Sequence, residues 1–149
     1  MNEVDFPTVR DAPSSARILL ADDEPEIRGV IALVLRNSGF EVDEVSDGRE
    51  AWDRIQSTSY DIFITDNNMG RLTGLAVIKK IHDSQKCLPV ILISGTFPGE
   101  ALKDEFGLPV SDFLAKPFRA KALLALVRTI LDRNARLVSS CSEKTTGLF

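Results

Sequence analysis

The chain has 149 residues, of which 44% are hydrophobic and 27% charged, and a formal net charge of −4, as is typical of one globular domain. The acidic charge excludes a basic surface for nucleic acid or an anionic membrane, and the apolar runs are too short for a membrane span. The first residues lack the apolar core of a secretory signal, and Cys87 and Cys141 are too few for a disulfide framework or a zinc site, so we expect a reducing, cytoplasmic compartment.

From its amino end, the chain begins with a polar stretch, residues 1–15, that we expect to be a flexible leader. A short apolar run over 17–21 predicts the first strand, which ends directly on the acidic pair Asp22 and Asp23. Apolar residues then recur at helical spacing over 26–38. The two acids are therefore expected in the turn between a strand and a helix.

The second strand, predicted over 40–45, mixes apolar and charged residues, which favours an edge position in a sheet. Asp47, with Glu50 three residues later, resembles a capping box for the next helix. The third strand, over 61–66, has an unbroken apolar centre that is typical of a strand buried on both faces of a parallel sheet. It ends on Asp66, where open α/β sheets place their ligands.

The second half of the chain continues this alternation of helices and strands. Its predicted elements, beginning and ending with a helix, cover 75–81, 89–94, 100–106, 112–116 and 123–131. The two strands among them end on Ser94 and on Lys116. After a folded unit over 16–133, the composition turns polar and predicts a helix end and flexible tail over 134–149. Five strands alternating with five helices predict an α/β fold with a parallel sheet.

The side chains with useful chemistry follow strands one, three, four and five. They are Asp22, Asp23, Asp66, Ser94 and Lys116. Right-handed crossovers would gather these strand ends along one edge of the sheet. Crowded carboxylates repel one another unless a hard cation such as Mg²⁺ lies among them, whereas a hydroxyl and an ammonium suit phosphoryl oxygens. The set therefore indicates phosphoryl chemistry, in which a carboxylate can act as the nucleophile.

This ordered set, with the run Lys116-Pro117-Phe118, resembles the receiver domain of bacterial two-component response regulators across 16–133. The resemblance implies a doubly wound five-stranded parallel sheet in the flavodoxin-like order 2-1-3-4-5, with helices on both faces. It also implies a switch rather than an enzyme. The switch would take a phosphoryl group from a sensor histidine kinase or a histidine phosphotransfer protein, and would signal by changing its protein-binding face.

The same resemblance implies a role for each site residue. The acceptor is Asp66, the phosphate-pairing group Lys116, the switch hydroxyl Ser94 and the switch aromatic Phe113. The implied Mg²⁺ ligands are Asp23, Asp66, the backbone carbonyl of Asn68 and, through water, Asp22. The chain departs from the family pattern where Gly70 and Gly95 stand in place of the common proline and alanine.

Other interpretations of these residues are open. Asp22 and Asp23 can cap the following helix, and Ser94 can bond to backbone. A phosphatase of the haloacid dehalogenase type also uses an Asp nucleophile on an α/β sheet, but its Asp-x-Asp pattern after strand one is absent here. A phosphate-independent docking module on a receiver fold is the other alternative, and crowded carboxylates argue against it.

The residues after the last predicted helix are too few for a DNA-binding unit, so we expect a stand-alone receiver without nucleic-acid or membrane partners. Its output would then be contact with a downstream protein that the sequence does not identify. Dimerisation through a face formed by 100–106 and the last helix stays open.

Overall fold

The structure is a computed structural model. It describes residues 16–70, 72–95 and 112–133. The predicted leader (1–15), the helix predicted over 100–106 and the predicted tail (134–149) lie outside the described residues, as does the dimer face that includes 100–106.

The described strands form one parallel sheet in the order β2-β1-β3-β4-β5. Their bounds are β1 Arg17–Ala21, β2 Glu41–Val45, β3 Ile62–Asp66, β4 Val90–Ser94 and β5 Phe113–Ala115. The flavodoxin-like order and the edge position of β2 are confirmed. Every residue of the central strand β3 is buried, as its unbroken apolar run predicts. In the register of the sheet, Ala21 pairs with Val45 and Thr65, and Asp66 pairs with Ile93, so the carboxyl ends of four strands are level.

Four helices lie in the described part of the chain. They are α1 Pro25–Asn37, α2 Gly48–Ser57, α3 Gly74–Asp83 and α4, residues 120–133. Pro25 opens α1, where a missing N–H leaves no bond unmade, and Gly39 follows its end at a φ of 97°. The Asp47 carboxylate caps α2 by accepting the Glu50 N–H at 2.8 Å, and the Thr73 hydroxyl caps α3 at 3.1 Å.

The helices cover both faces of the sheet, because alternate residues of each strand point to opposite sides. On one face, Leu35 of α1 and Val127 of α4 pack over strand residues such as Ile64. On the other face, Ile55 of α2 and Val77 of α3 lie in a second cluster of buried side chains. No helix among the described residues is long and apolar enough to cross a bilayer. The packing leaves the carboxyl edge of the sheet as the place where polar groups collect.

Candidate functional site

Four carboxylates meet at the carboxyl edge of the sheet. Asp22, Asp23 and Glu24 come from the turn after β1 and Asp66 from the end of β3, and one oxygen of each lies within 4.8 Å of the others. Asp22 and Asp66 are buried, whereas Asp23 and Glu24 are exposed. The structure therefore brings together the three acids predicted from the sequence. It adds Glu24, which sequence reasoning left out although it continues the acidic run.

Burial sets the charge behaviour of Asp22, whose side chain is almost wholly removed from water. Burial raises the pKa of this carboxyl above its ordinary value, and the nearby Asp66 carboxylate raises it further. The backbone N–H of Glu24, which donates to Asp22 Oδ1 at 2.9 Å, and the charge of Lys116 act in the opposite direction. The site therefore disfavours ionisation of the Asp22 carboxyl, whose pKa is raised, when no cation is bound.

Lys116 supplies the positive charge that faces these acids. Its Nζ lies 3.2 Å from Oδ2 of Asp66, and its side chain is 26% exposed, against 2% for Asp66. The residue directly follows β5 and is joined to Pro117 by a cis peptide bond. Its backbone N–H donates to the carbonyl of Ser94 at 3.0 Å, which ties it to the end of β4. The ammonium thus reaches from the rim of the sheet to a buried carboxylate.

The two residues predicted to act as switches lie at different depths. Ser94 is buried at the end of β4, beside the backbone of Lys116, so it belongs to the same edge as the acids. Phe113 begins β5, pairs with Leu92 in register and is only partly buried, packing against that residue. It therefore lies further from the edge, and its switch role stays a prediction.

The turn after β3 is fixed at its start by hydrogen bonds. The N–H of Asn67 donates to the carbonyl of Ile93 at 3.2 Å, and its side-chain oxygen accepts the N–H of Leu75 at 3.3 Å. The N–H of Asn68 lies 3.4 Å from Oδ1 of Asp66, at the long limit of a hydrogen bond. The Asn68 carbonyl, predicted to be a metal ligand, therefore lies in the loop that directly follows β3, two residues after Asp66.

The position of Asp22 depends on a contact that sequence reasoning did not identify. Nη1 of Arg28 donates to the backbone carbonyl of Asp22 at 2.9 Å, and its Nε lies 3.2 Å from the carboxylate of Glu44. The guanidinium thus joins the acidic turn to α1 and β2. The only sequence signal for it was a basic residue in the first turns of a helix that follows acids, which is a common pattern.

The donor set fits Mg²⁺. This ion takes oxygen ligands, is usually held by one or two carboxylates and keeps positions for water and phosphate oxygens. The acids come from two separate elements, and two of them are exposed, so the group is open to solvent on one side. With a cation bound, the repulsion between Asp22 and Asp66 would be relieved.

Comparison with protein families shows that residues 18–128 match the model of the response regulator receiver domain. These residues lie inside the unit predicted over 16–133. Response regulator GtcR of Aneurinibacillus migulanus is 35% identical over 119 residues, which are 80% of this chain and 49% of that protein. Transcriptional regulatory protein PrrA of Mycobacterium leprae is 32% identical over 130 residues, 87% of this chain and 56% of that protein. The chain thus spans about half the length of these curated relatives.

Solved structures resemble most of the chain. The chemotaxis response regulator CheY4 of Vibrio cholerae aligns with a TM-score of 0.69 at 29% identity, covering 78% of this chain and 99% of that one. The receiver domain of the Francisella response regulator 1452 aligns with a TM-score of 0.74 at 27% identity, covering 80% and 99%. The likeness therefore extends across nearly the whole of each receiver structure.

Proposed function

Because the chain belongs to the response regulator receiver domain family, we propose that it accepts a phosphoryl group on Asp66 from a phosphohistidine of a partner protein. The observation that carries this assignment is the setting of Asp66. Its carboxylate is buried, faces the Lys116 ammonium at 3.2 Å and shares a 4.8 Å cluster with three other carboxylates. No other acid among the described residues has both a facing lysine and such a cluster.

In the proposed step, an Oδ of Asp66 attacks phosphorus opposite the bond to the donor imidazole nitrogen. A P–O bond forms, the P–N bond breaks, and its electron pair stays on the imidazole. Lys116 pairs with a phosphoryl oxygen, which offsets the charge that collects there. Mg²⁺, held by Asp23, Asp66 and the Asn68 carbonyl with Asp22 acting through water, would supply positive charge to the phosphoryl oxygens.

Signalling would begin at Ser94, whose hydroxyl we infer to bond the new phosphoryl group. Ser94 is buried at the same edge as Asp66, and its carbonyl accepts the N–H of Lys116, which directly follows β5. A movement of Ser94 would therefore displace the end of β5. Phe113 begins that strand and would follow. The phosphoryl group shifts the equilibrium only as far as it favours one state, through the charge-assisted bonds from Ser94 and Lys116.

The test of the function is intact mass after incubation with acetyl phosphate and Mg²⁺. We expect a single phosphoryl adduct on the wild type and none on Asp66→Asn, because the nucleophilic oxygen is then part of an amide. Asp61→Asn is the matched control, since Asp61 is an exposed acid just before the same strand. An adduct on Asp66→Asn would contradict the assignment. Turnover of small phosphate esters would instead favour the phosphatase, and lack of an adduct with acetyl phosphate and with phosphohistidine would favour the docking module.

We propose that the phosphohistidine donor docks on an exposed apolar side of α1. Ile27, Val30 and Leu33 recur every third residue and are 37%, 63% and 58% exposed. They are the exposed large apolar side chains among the described residues. Because α1 starts directly after the acidic turn, a protein seated on this side of the helix would have its histidine within reach of the sheet edge.

Replacing Val30 with Glu should separate docking from chemistry. We expect transfer from a phosphorylated histidine phosphotransfer protein to slow about tenfold, because a charge is placed in an apolar contact. Labelling by acetyl phosphate should be unchanged, since this small donor needs no docking surface. Rapid-quench kinetics with both donors gives the comparison. Gln56→Glu, which adds the same charge to an exposed position on α2, is the control, and equal slowing by the two variants would contradict this surface.

A further inference from the structure

The loop between β3 and α3 is packed against glycine at both ends. At Gly48, the first residue of α2, a Cβ would overlap the carbonyl oxygen of Leu72 and lie 2.8 Å from its carbonyl carbon. At Gly74, the first residue of α3, a Cβ would lie 2.6 Å from the carbonyl oxygen of Asp66. Neither glycine has a positive φ, so the requirement at both positions is one of space.

These contacts enclose the part of the loop that carries Asn68. Its start is held by the bonds of Asn67 to Ile93 and Leu75, whereas its later part is seated by Leu72 against α2. The Leu72 side chain is partly buried against the same cluster that contains the residues of α2. Along the chain, Asn68 lies between these two contacts.

We propose that Gly48 is a positioning residue for the metal site. Its lack of a side chain lets the Leu72 peptide sit directly on α2, and that seat sets where the loop presents the Asn68 carbonyl. The inference rests on the proposed function, because it takes that carbonyl as a metal ligand. Gly48 lies outside the group formed by the clustered acids and Lys116, and it acts on the site through Leu72.

The same contact connects the metal site to the outer surface of α2 and α3. Leu72 lines a groove with Trp52 and Lys80, and the Lys80 ammonium lies 5.8 Å from the centre of the indole ring. Trp52 is the one tryptophan of the chain. A shift of the loop when Mg²⁺ binds would change the surroundings of this indole. The fluorescence of Trp52 therefore reports on how the loop packs against α2.

Gly48→Ala, compared with Gly29→Ala, tests the proposal. Both glycines lie in helices, but a Cβ at Gly29 would meet nothing within 4 Å. Titration calorimetry with Mg²⁺ should show affinity reduced roughly tenfold in Gly48→Ala, as for other residues that orient a ligand from outside the site. Gly29→Ala should bind as the wild type does. Mg²⁺ should also shift the Trp52 emission in the wild type and in Gly29→Ala, and less in Gly48→Ala.

Several outcomes would overturn the inference. If folded Gly48→Ala, checked by circular dichroism, binds Mg²⁺ as tightly as the wild type, Gly48 does not position the ligand. If Gly48→Ala does not fold, the test is made on the wild type. Mg²⁺ binding that is seen by calorimetry but leaves the Trp52 emission unchanged would show that the metal site is not coupled to the contact between Leu72 and α2. A wild type that binds no Mg²⁺ and takes no phosphoryl group overturns the proposed function as well. If the wild type binds Mg²⁺ and takes a phosphoryl group, the proposed function stands and only the role of Gly48 is overturned.

Discussion

Replacing Asp22 with Asn is expected to stabilise the ion-free protein by roughly 1–2 kcal/mol while weakening Mg²⁺ binding about tenfold or more. Asp22 is only 1% exposed and shares its cluster with the buried Asp66, so its charge lacks water and faces a like charge. An Asn keeps the Oδ1 acceptor that takes the Glu24 N–H at 2.9 Å. The substitution therefore removes the unfavourable charge and keeps the local hydrogen bond.

The effect should depend on pH with a definite sign. Burial, and then Asp66, raise the pKa of Asp22 above the ordinary value of 3.8. The folded protein thus holds this proton at pH values where the unfolded chain has released it, and the free energy of unfolding falls as pH rises through that interval. The penalty is absent below the unfolded pKa and complete above the folded one. In a chelator, the advantage of Asp22→Asn should therefore grow from about pH 4 towards neutrality.

Urea unfolding at several pH values, in a chelator and in saturating Mg²⁺, measures both parts of this prediction. We expect Mg²⁺ to bind the folded wild type and add to its stability, so the order of the two proteins should reverse when the ion is present. The control is Asp53→Asn, at an exposed acid of α2 outside the cluster. It should change neither the free energy of unfolding in chelator nor the increase that Mg²⁺ gives. An Asp22→Asn protein that is less stable than the wild type in chelator near neutrality would show that repulsion among the acids is not the dominant effect.

The parts of the fold that the sequence predicted are those in which one strong local signal acts alone. The apolar run of β3 predicted a strand buried on both faces, and the charges of β2 favoured an edge. The parallel topology then brought Asp22, Asp66 and Lys116 to one edge without any knowledge of side-chain positions. The site was predictable because its residues follow strands, whose ends the topology makes neighbours.

Boundaries and contacts between distant residues were less predictable. The last strand, predicted over 112–116, covers only Phe113–Ala115, one residue less at each end, and Pro117, which has no N–H to donate, follows soon after it. Trp52 packs against a core cluster but is only partly buried, and it lines the groove beside Leu72, a contact that no local pattern indicates. The space that Gly48 leaves for Leu72 is a property of two segments packed together. Helical and turn propensities, which depend on neighbours in the chain, carry no information about it.

The largest loss of function short of removing the acceptor is expected for Lys116→Gln. Formation of the phosphoryl adduct should fall about 100-fold, because the only ammonium within bonding distance of Asp66 in the described structure would be gone when charge collects on the phosphoryl oxygens. The ion-free protein should also lose about 2 kcal/mol, since Asp66 would remain buried without its partner. This value is below that for a fully buried pair because the lysine lies at the rim. Lys121→Gln, at an exposed lysine of α4, is the control for both measurements.

A double-mutant cycle with Asp66→Asn shows whether the two residues act on each other. With Asp66 neutral, removal of the lysine leaves no unpaired carboxylate, so Lys116→Gln should then change the free energy of unfolding little, and the coupling should be about 1–2 kcal/mol. Independent effects of the two changes would mean that the 3.2 Å contact does not hold the pair together in solution. The direction of the stability change links this prediction to the one for Asp22. In an acid-rich site, deletion of a carboxylate stabilises and deletion of the cation destabilises, so both changes impair the switch while moving stability in opposite directions.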